Sequence, residues 1–349
     1  MKVYRFRHEA VSFVAFYFAK IIKWMEECKM NFKKNKLAIV GVGHVGSAVL
    51  NCALSFNLAA DIALIDIDEK KAIGEALDAS HGTPFANSPS VHIHAGGFEE
   101  CKEADVIIIA AGPSVLPGEN VDRLVLAERN VKTIHDVMTA IVKYTQDAVI
   151  IMITNPLDIT AYCAQNLFGY PKHKIFGTGT TLETARLRRI LGDKYKVDPK
   201  NVHGYMLGEH GNSAFPAWSL VNIAGIHSDQ LDAYFQPSEP LERDKIGAEV
   251  INIAYDVLNF KGCTNYGIAM VACRIARAVF YDENAVFPVS TTLEGEYGIT
   301  DVSLSLPCII NAGGVKRRLE VSLAESEVTK LKLCAENITR VLKSVGVKK

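Results

Sequence analysis

Residues 37–46 read Leu-Ala-Ile-Val-Gly-Val-Gly-His-Val-Gly. A continuously apolar run of the kind buried on both faces of a parallel sheet (Leu37 to Val40) leads straight into Gly41, Gly43 and Gly46, and a helical pattern from Val45 to Phe56 follows. Strand, glycine turn and helix in this order form a phosphate cradle. Gly41 permits the tight turn, Gly43 lets backbone amides approach a pyrophosphate, and Gly46 lets the helix pack close to the sheet with its positive end toward the phosphates. Asp66 closes the second apolar run about twenty residues on, where a carboxylate accepts ribose hydroxyls. A carboxylate there repels the additional phosphate of NADP, and no arginine adjoins it, so NAD is the expected cofactor.

Outward from this turn, further short runs rich in Ile, Val and Ala alternate with helical patterns: Ile62–Asp66, Val91–His94, Val106–Ala110, Val149–Ile153 and Lys174–Phe176. This rhythm predicts an α/β, doubly wound parallel sheet of the Rossmann type over residues 36–176. Beyond Gly177 the rhythm changes. Helical stretches at Thr181–Leu191, Ala248–Leu258 and Tyr266–Phe280, alternating segments over Val286–Pro307, and an amphipathic C-terminal helix with apolar residues from Leu323 to Leu342 predict a second, α+β catalytic domain over 177–349. Residues 1–35 are read as an extension. Ala10–Ala19 is apolar between basic flanks but too short to span a bilayer, and Met30, just before the first clear strand, is the expected natural start; an amphipathic surface helix is the alternative.

Bulk properties narrow the function. The 349 residues are 49% apolar and 22% charged with a formal net charge of −1, which removes the cationic excess that nucleic-acid binding needs. Eight cysteines are scattered with no CxxC pair, which fits reduced thiols in a cytoplasmic protein better than a zinc site or a disulfide framework. His92 and His94 alternate along a strand without a Cys or carboxylate at ligand spacing, so no metal is expected.

Three strings carry chemistry: Ile-Thr-Asn-Pro-Leu-Asp (153–158), Gly-Thr-Gly-Thr-Thr-Leu-Glu-Thr-Ala-Arg (177–186) and Gly-Glu-His-Gly-Asn (208–212). Together and in this order, from Lys36 to the C-terminus, they resemble the L-lactate and L-2-hydroxyisocaproate dehydrogenase family within the lactate/malate dehydrogenase superfamily. The resemblance implies reversible hydride transfer between NADH and a small 2-oxo acid, with His210 as acid-base histidine, Glu183 as its carboxylate partner, Arg186 as clamp on the substrate carboxylate, and Arg123 polarising the reacting carbonyl from a loop that closes (Ala111–Asp122). It also implies that Asn155 touches nicotinamide and substrate, that Thr264 lines the far wall of the substrate pocket, and that the chain is a homo-tetramer or homodimer.

Two departures stand out. The family has aspartate where Glu183 stands, and Thr180 with Glu183 also spells a T-x-x-E capping box, the reading that spacing alone favours. At the specificity position, where lactate enzymes carry glutamine and malate enzymes arginine, this chain has Val115, which disfavours a second substrate carboxylate and suits an apolar, branched tail of the hydroxyisocaproate kind. Arg188 and His203 match an anion site used by fructose 1,6-bisphosphate in bacterial lactate enzymes. The alternative function is a catalytically weak NAD(H)-binding sensor on the same fold.

Overall fold

The structure is a computed structural model and describes residues 35–85, 90–113 and 123–348, with only the backbone of Arg123. Strands β1 (Lys36–Val40), β2 (Asp61–Ile65), β3 (His92–Ala95), β4 (Val106–Ile109), β5 (Val149–Met152) and β6 (Ile175–Gly177) lie parallel. Their spatial order, β3-β2-β1-β4-β5-β6, is that of a dinucleotide-binding sheet, and it reverses beside β1, where the glycine turn begins. Most of these strands read as unbroken apolar runs because both faces are covered, whereas the edge strand β3 alternates histidine with apolar residues and is only partly buried. Leu37, Ile39, Val106, Ile108, Val149 and Ile151 face one apolar layer, and their neighbours Ala38, Val40, Ile107, Ile109, Ile150 and Met152 the other. A period of two along each strand thus feeds two cores at once.

Helices α1 (His44–Ser55), α2 (Glu69–Gly82), α3 (Arg123–Ile141) and α4 (Leu157–Asn166) connect these strands, and α5 (Thr181–Tyr195) follows β6. The later half adds α6 (Arg243–Lys261), α7 (Tyr266–Phe280) and the C-terminal α8 (Glu325–Ser344), together with three long antiparallel strands, β7 (Ala285–Glu294), β8 (Thr300–Asn311) and β9 (Gly314–Arg318). These strands continue the main sheet instead of forming one of their own, because Ser290 of β7 pairs with Gly177 of β6 and makes a nine-stranded sheet. Of the apolar residues expected along α8, Leu331, Ile338 and Leu342 are buried while Leu333 is exposed. At 100° per residue Leu333 falls some 200° from Leu331, off the buried stripe.

Residues 1–34, and with them the expected extension and the start at Met30, lie outside the described residues, as do Val115 and the side chain of Arg123. Among the described residues no helix is long and apolar enough to cross a membrane.

Candidate active site

The glycine turn has two kinds of glycine. Gly41 has φ +89°, and a Cβ there would stand 2.6 Å from the Ala111 backbone; a Cβ on Gly46 would stand 1.9 Å from the Gly41 carbonyl oxygen. Packing alone therefore demands both. A Cβ on Gly43 would meet nothing within 4 Å, so no packing among the described residues requires a glycine there. Gly43 is also the N-cap of α1 and offers no side-chain acceptor to that helix's first amides. Open space before a helix start with no side-chain cap, where the N–H groups are positively polarised, is what a bound pyrophosphate requires, and the residues present fit the dinucleotide. Asp66 follows β2, where its Oδ2 accepts from the Val42 amide at 2.7 Å and its Oδ1 from the Asp68 amide at 3.0 Å. The acid thus fixes the glycine turn, and carboxylate lone pairs remain for ribose hydroxyls.

At the carboxyl ends of β4 and β5, the buried Asn130 of α3 donates through Nδ2 to the Asn155 carbonyl at 2.7 Å and to the Pro113 carbonyl at 3.2 Å. Thr154 Oγ1 donates to the Ala111 carbonyl at 2.7 Å. These bonds anchor Ala111 and Pro113 at both ends of their segment, and the Asn155 side chain is exposed.

The acid-base cluster is assembled from α4, α5 and the segment 206–210. Thr180 and Thr184, one turn apart, grip both sides of Met206: Thr180 Oγ1 donates to its carbonyl at 2.6 Å and Thr184 Oγ1 accepts from its amide at 2.9 Å. Gly208 then bonds Ser305 of β8 in both directions, at 3.1 and 2.9 Å. Its φ of +91°, and the 2.7 Å that would separate a Cβ from Cys334 Sγ, restrict that position to glycine. His210, two residues on, is thereby held over the first turn of α5.

Its Nδ1 stands 2.9 Å from Glu183 Oε1, and Arg186 Nη1 stands 4.0 Å from the same oxygen. Glu183 is thus not a helix cap here, and Thr180 makes no side-chain cap bond. The ring N–H does not point along the Nδ1–Oε1 line, and Glu183 Oε2 has no hydrogen-bond partner in the described residues, so the contact is an ion pair before it is a directional hydrogen bond. The longer glutamate side chain reaches the imidazole but meets it off axis.

Electrostatics follow from burial and pairing. Burial works against the imidazolium, but the Glu183 charge and contact, with a further pull from Asp158, outweigh it and push His210 up to about 9. Burial works against the Glu183 carboxylate as well, and His210 and then Arg186 overcome it, so Glu183 lies below its ordinary value. Burial lowers Arg186 somewhat, opposed by Glu183.

A second carboxylate at this histidine has no role in the sequence reading. Asp158, fully enclosed at the start of α4, accepts from the His210 amide at 2.7 Å through Oδ2 and from Ser290 Oγ at 2.5 Å through Oδ1. Burial pushes it up to about 7, against the lowering effects of Ser290 and His210. Its string, Ile153–Asp158, was visible, but the partners come from far along the chain.

Thr264 sits partly buried between α6 and α7. The first turn of α7 packs on α5 where Gly267 meets Leu182, one residue before Glu183. Arg188 Nη2 reaches the Gly204 carbonyl at 3.5 Å, so its guanidinium and the exposed His203 occupy one neighbourhood, away from the imidazole pair.

Known proteins resemble this arrangement along nearly its whole length. The profile of the lactate/malate dehydrogenase NAD-binding domain matches residues 35–177, and that of the family's alpha/beta C-terminal domain matches residues 180–348. L-lactate dehydrogenase 2 of Clostridium acetobutylicum is 53% identical over 92% of this chain and all of its own, and L-lactate dehydrogenase of Selenomonas ruminantium is 50% identical over 90% of this chain and 99% of its own. The structure of the minor L-lactate dehydrogenase from Enterococcus mundtii, in a ligands-bound form, superposes with a TM-score of 0.86 at 33% identity, covering 90% of this chain and all of that one. With a nucleotide cradle at one end of the sheet and a paired imidazole beside a half-buried guanidinium, the chain belongs to the lactate/malate dehydrogenase family, as an NAD-dependent dehydrogenase of the lactate type.

Proposed function

We propose that the chain interconverts L-lactate and pyruvate, with His210 exchanging the proton. The single observation behind this is the shared Glu183 oxygen, 2.9 Å from the imidazole and 4.0 Å from the guanidinium, which holds a proton donor and a carboxylate clamp at one place. The names of the two relatives at 53% and 50% identity point to the same substrate.

The bound cofactor supplies or accepts the hydride at its nicotinamide. The chain does the rest. Arg186 grips the substrate carboxylate through two parallel hydrogen bonds and so orients the carbonyl. His210, a cation at neutral pH, donates its proton to the carbonyl oxygen during reduction and takes it back during oxidation. Glu183 stabilises the imidazolium. Asn155, at the end of β5, contacts substrate and nicotinamide, and Thr264 lines the pocket. Arg123 polarises the carbonyl when the loop carrying Val115 closes and excludes water. Gly41, Gly43, Gly46 and Asp66 hold the dinucleotide.

A second reading concerns the substrate's tail. Val115 offers an apolar wall and no cation, which favours branched 2-oxo acids such as 2-oxoisocaproate beside pyruvate and disfavours oxaloacetate. Self-association into a dimer or tetramer is supported by exposed apolar pairs at helical spacing, Ile73 and Leu77 on α2 and Tyr266 and Met270 on α7. A cytoplasmic setting is supported by the seven free cysteines among the described residues, six of them buried.

NADH oxidation is measured against pyruvate, 2-oxoisocaproate and oxaloacetate, with His210→Gln alongside. Pyruvate or 2-oxoisocaproate turnover that falls by orders of magnitude in the variant, with NADH binding retained, is expected. NADH binding without consumption would mark a sensor, and an undiminished His210→Gln enzyme would remove the mechanism.

A further inference from the structure

We propose that Asp61, His92 and His94 form a binding site for a late first-row divalent cation, of the Zn2+ or Ni2+ class, at the amino-terminal edge of the sheet. The two histidines alternate on the edge strand β3, so their side chains share one face. Their rings stack with centroids 4.6 Å apart and planes 24° apart. The missing carboxylate comes from the neighbouring strand: Asp61 opens β2 in register with His92, and Ala63 stands opposite His94. One oxygen, Asp61 Oδ1, lies 3.0 Å from His94 Nε2 and 3.5 Å from His92 Nδ1, and all three donor atoms fall within 4.8 Å of one another.

The two separations from Asp61 are those an ion would need, and the imidazole nitrogens lie within 4.8 Å of each other. With bonds of about 2.0–2.1 Å to nitrogen and oxygen, neighbouring ligands on a tetrahedral ion stand about 3.3 Å apart, between the two distances to Asp61. Two imidazoles and one carboxylate are the donor set of borderline ions, softer than Mg2+ or Ca2+ prefer. A further acid, Glu100, has Oε2 3.8 Å from His94 Nε2, but it is neutralised by Lys36 Nζ at 2.6 Å. The Asp61 charge is thus left for the ion. The His92 side chain is 70% exposed and those of His94 and Asp61 are 22% and 27% exposed, so water has access to the remaining coordination positions.

Asp61 and His92 begin their strands, whereas the glycine turn and Asn155 lie at the carboxyl ends. The ion would therefore clamp β2 to β3 at the far end of the sheet and take no part in hydride transfer.

Metal-stripped full-length protein is titrated with Ni2+ by calorimetry, and with Zn2+ in parallel. Ni2+ is the sharper probe, since imidazole suits it while thiolates favour softer ions and could divert zinc to cysteine. One saturable site per chain is expected, together with an upward shift of the thermal midpoint. His94→Gln and, separately, His92→Gln should weaken binding by more than the roughly tenfold lost with an outer partner and abolish the midpoint shift. Both variants should keep wild-type NADH turnover, which shows that they fold. Absence of saturable uptake, or uptake undiminished in both variants, would overturn the proposal.

Discussion

Glu183→Gln removes one charge from the acid-base cluster and nearly preserves its shape, which makes it the sharpest probe of how His210 keeps its proton. The imidazole titrates at about 9 against an ordinary 6.5 although burial works against the charged ring. At about 1.36 kcal/mol per pKa unit, the charged form is favoured by roughly 3 kcal/mol relative to a free histidine. Coulomb's law at an effective dielectric near 20 gives a gross attraction of about 6 kcal/mol at the 2.9 Å separation. Desolvation of the ring offsets part of that attraction, and the two figures agree in scale. With the charge removed, burial is unopposed except by Asp158, and His210 should titrate at or below 6.5. At pH 7.5 about one ring in ten would then carry the proton, where nearly all do in the wild type.

The assay is the pH profile of kcat/KM for pyruvate reduction at saturating NADH. The high-pH limb should move from near 9 to near or below 6.5, the rate at pH 7.5 should fall about tenfold for that reason alone, and acidification should recover it. Glu183→Asp, which keeps the charge, should keep the wild-type limb. Stability follows the same linkage. The lowered Glu183 contributes above its ordinary 4.5 and loses its contribution as pH falls, while the raised His210 contributes fully below 6.5 and loses its contribution as pH rises through about 9. Wild type should therefore exceed the glutamine variant in thermal midpoint most clearly between 4.5 and 6.5. A Glu183→Gln profile that overlays the wild type on its alkaline limb would refute the Coulombic account.

Gly43→Ala places its Cβ in open space, so the free protein should melt as wild type while NADH affinity falls. Gly46→Ala, with a Cβ 1.9 Å from the Gly41 carbonyl, should lower stability outright; fluorescence titration and melting curves separate the two. Arg186→Lys exchanges a two-bond clamp for a point charge, and a loss of about 1.5–3 kcal/mol should raise KM for the 2-oxo acid ten- to hundredfold, with NADH binding unchanged. Asp158→Asn can still accept from the His210 amide and donate to Ser290. Because Asp158 is raised from 3.8 to about 7, its favourable contribution is full below 3.8 and is lost as pH rises through 7. The asparagine variant should thus gain midpoint over wild type on passing from pH 4 to 7, by as much as about 4 kcal/mol in stability, and hold that advantage at higher pH. A pH-independent loss instead would show that its shape, and not its charge, matters.

Local physics was legible in the sequence. The glycine turn could be placed because strand, turn and helix are contiguous, and most of the parallel strands because burial on both faces writes an unbroken apolar run; the edge strand β3 alternates instead. What eluded reading was set by distant partners. Gly177 ends β6 as a lone glycine in the sequence, and only its pairing with Ser290 shows that the sheet runs on into β7. Thr180 reads as a helix-start residue, yet it and Thr184 both bind Met206. Asp61 could not be joined to His92 and His94 by spacing, because it comes from the adjacent strand.

The two acids at His210 show why the limit is physical. Both Glu183 and Asp158 lie in recognised strings, both start helices and both are enclosed. One faces the ring, and the imidazolium holds it ionised against burial. The other faces the main chain, and a neutral amide and hydroxyl do not compensate its enclosure, so it drifts up to about 7. Ring-facing and backbone-facing positions differ only in the path of the chain between Met206 and His210. That path is fixed by Thr180, Thr184 and Ser305, so the division of labour between the carboxylates belongs to the tertiary fold, and substitutions at those three residues should disturb the His210 titration without touching either acid.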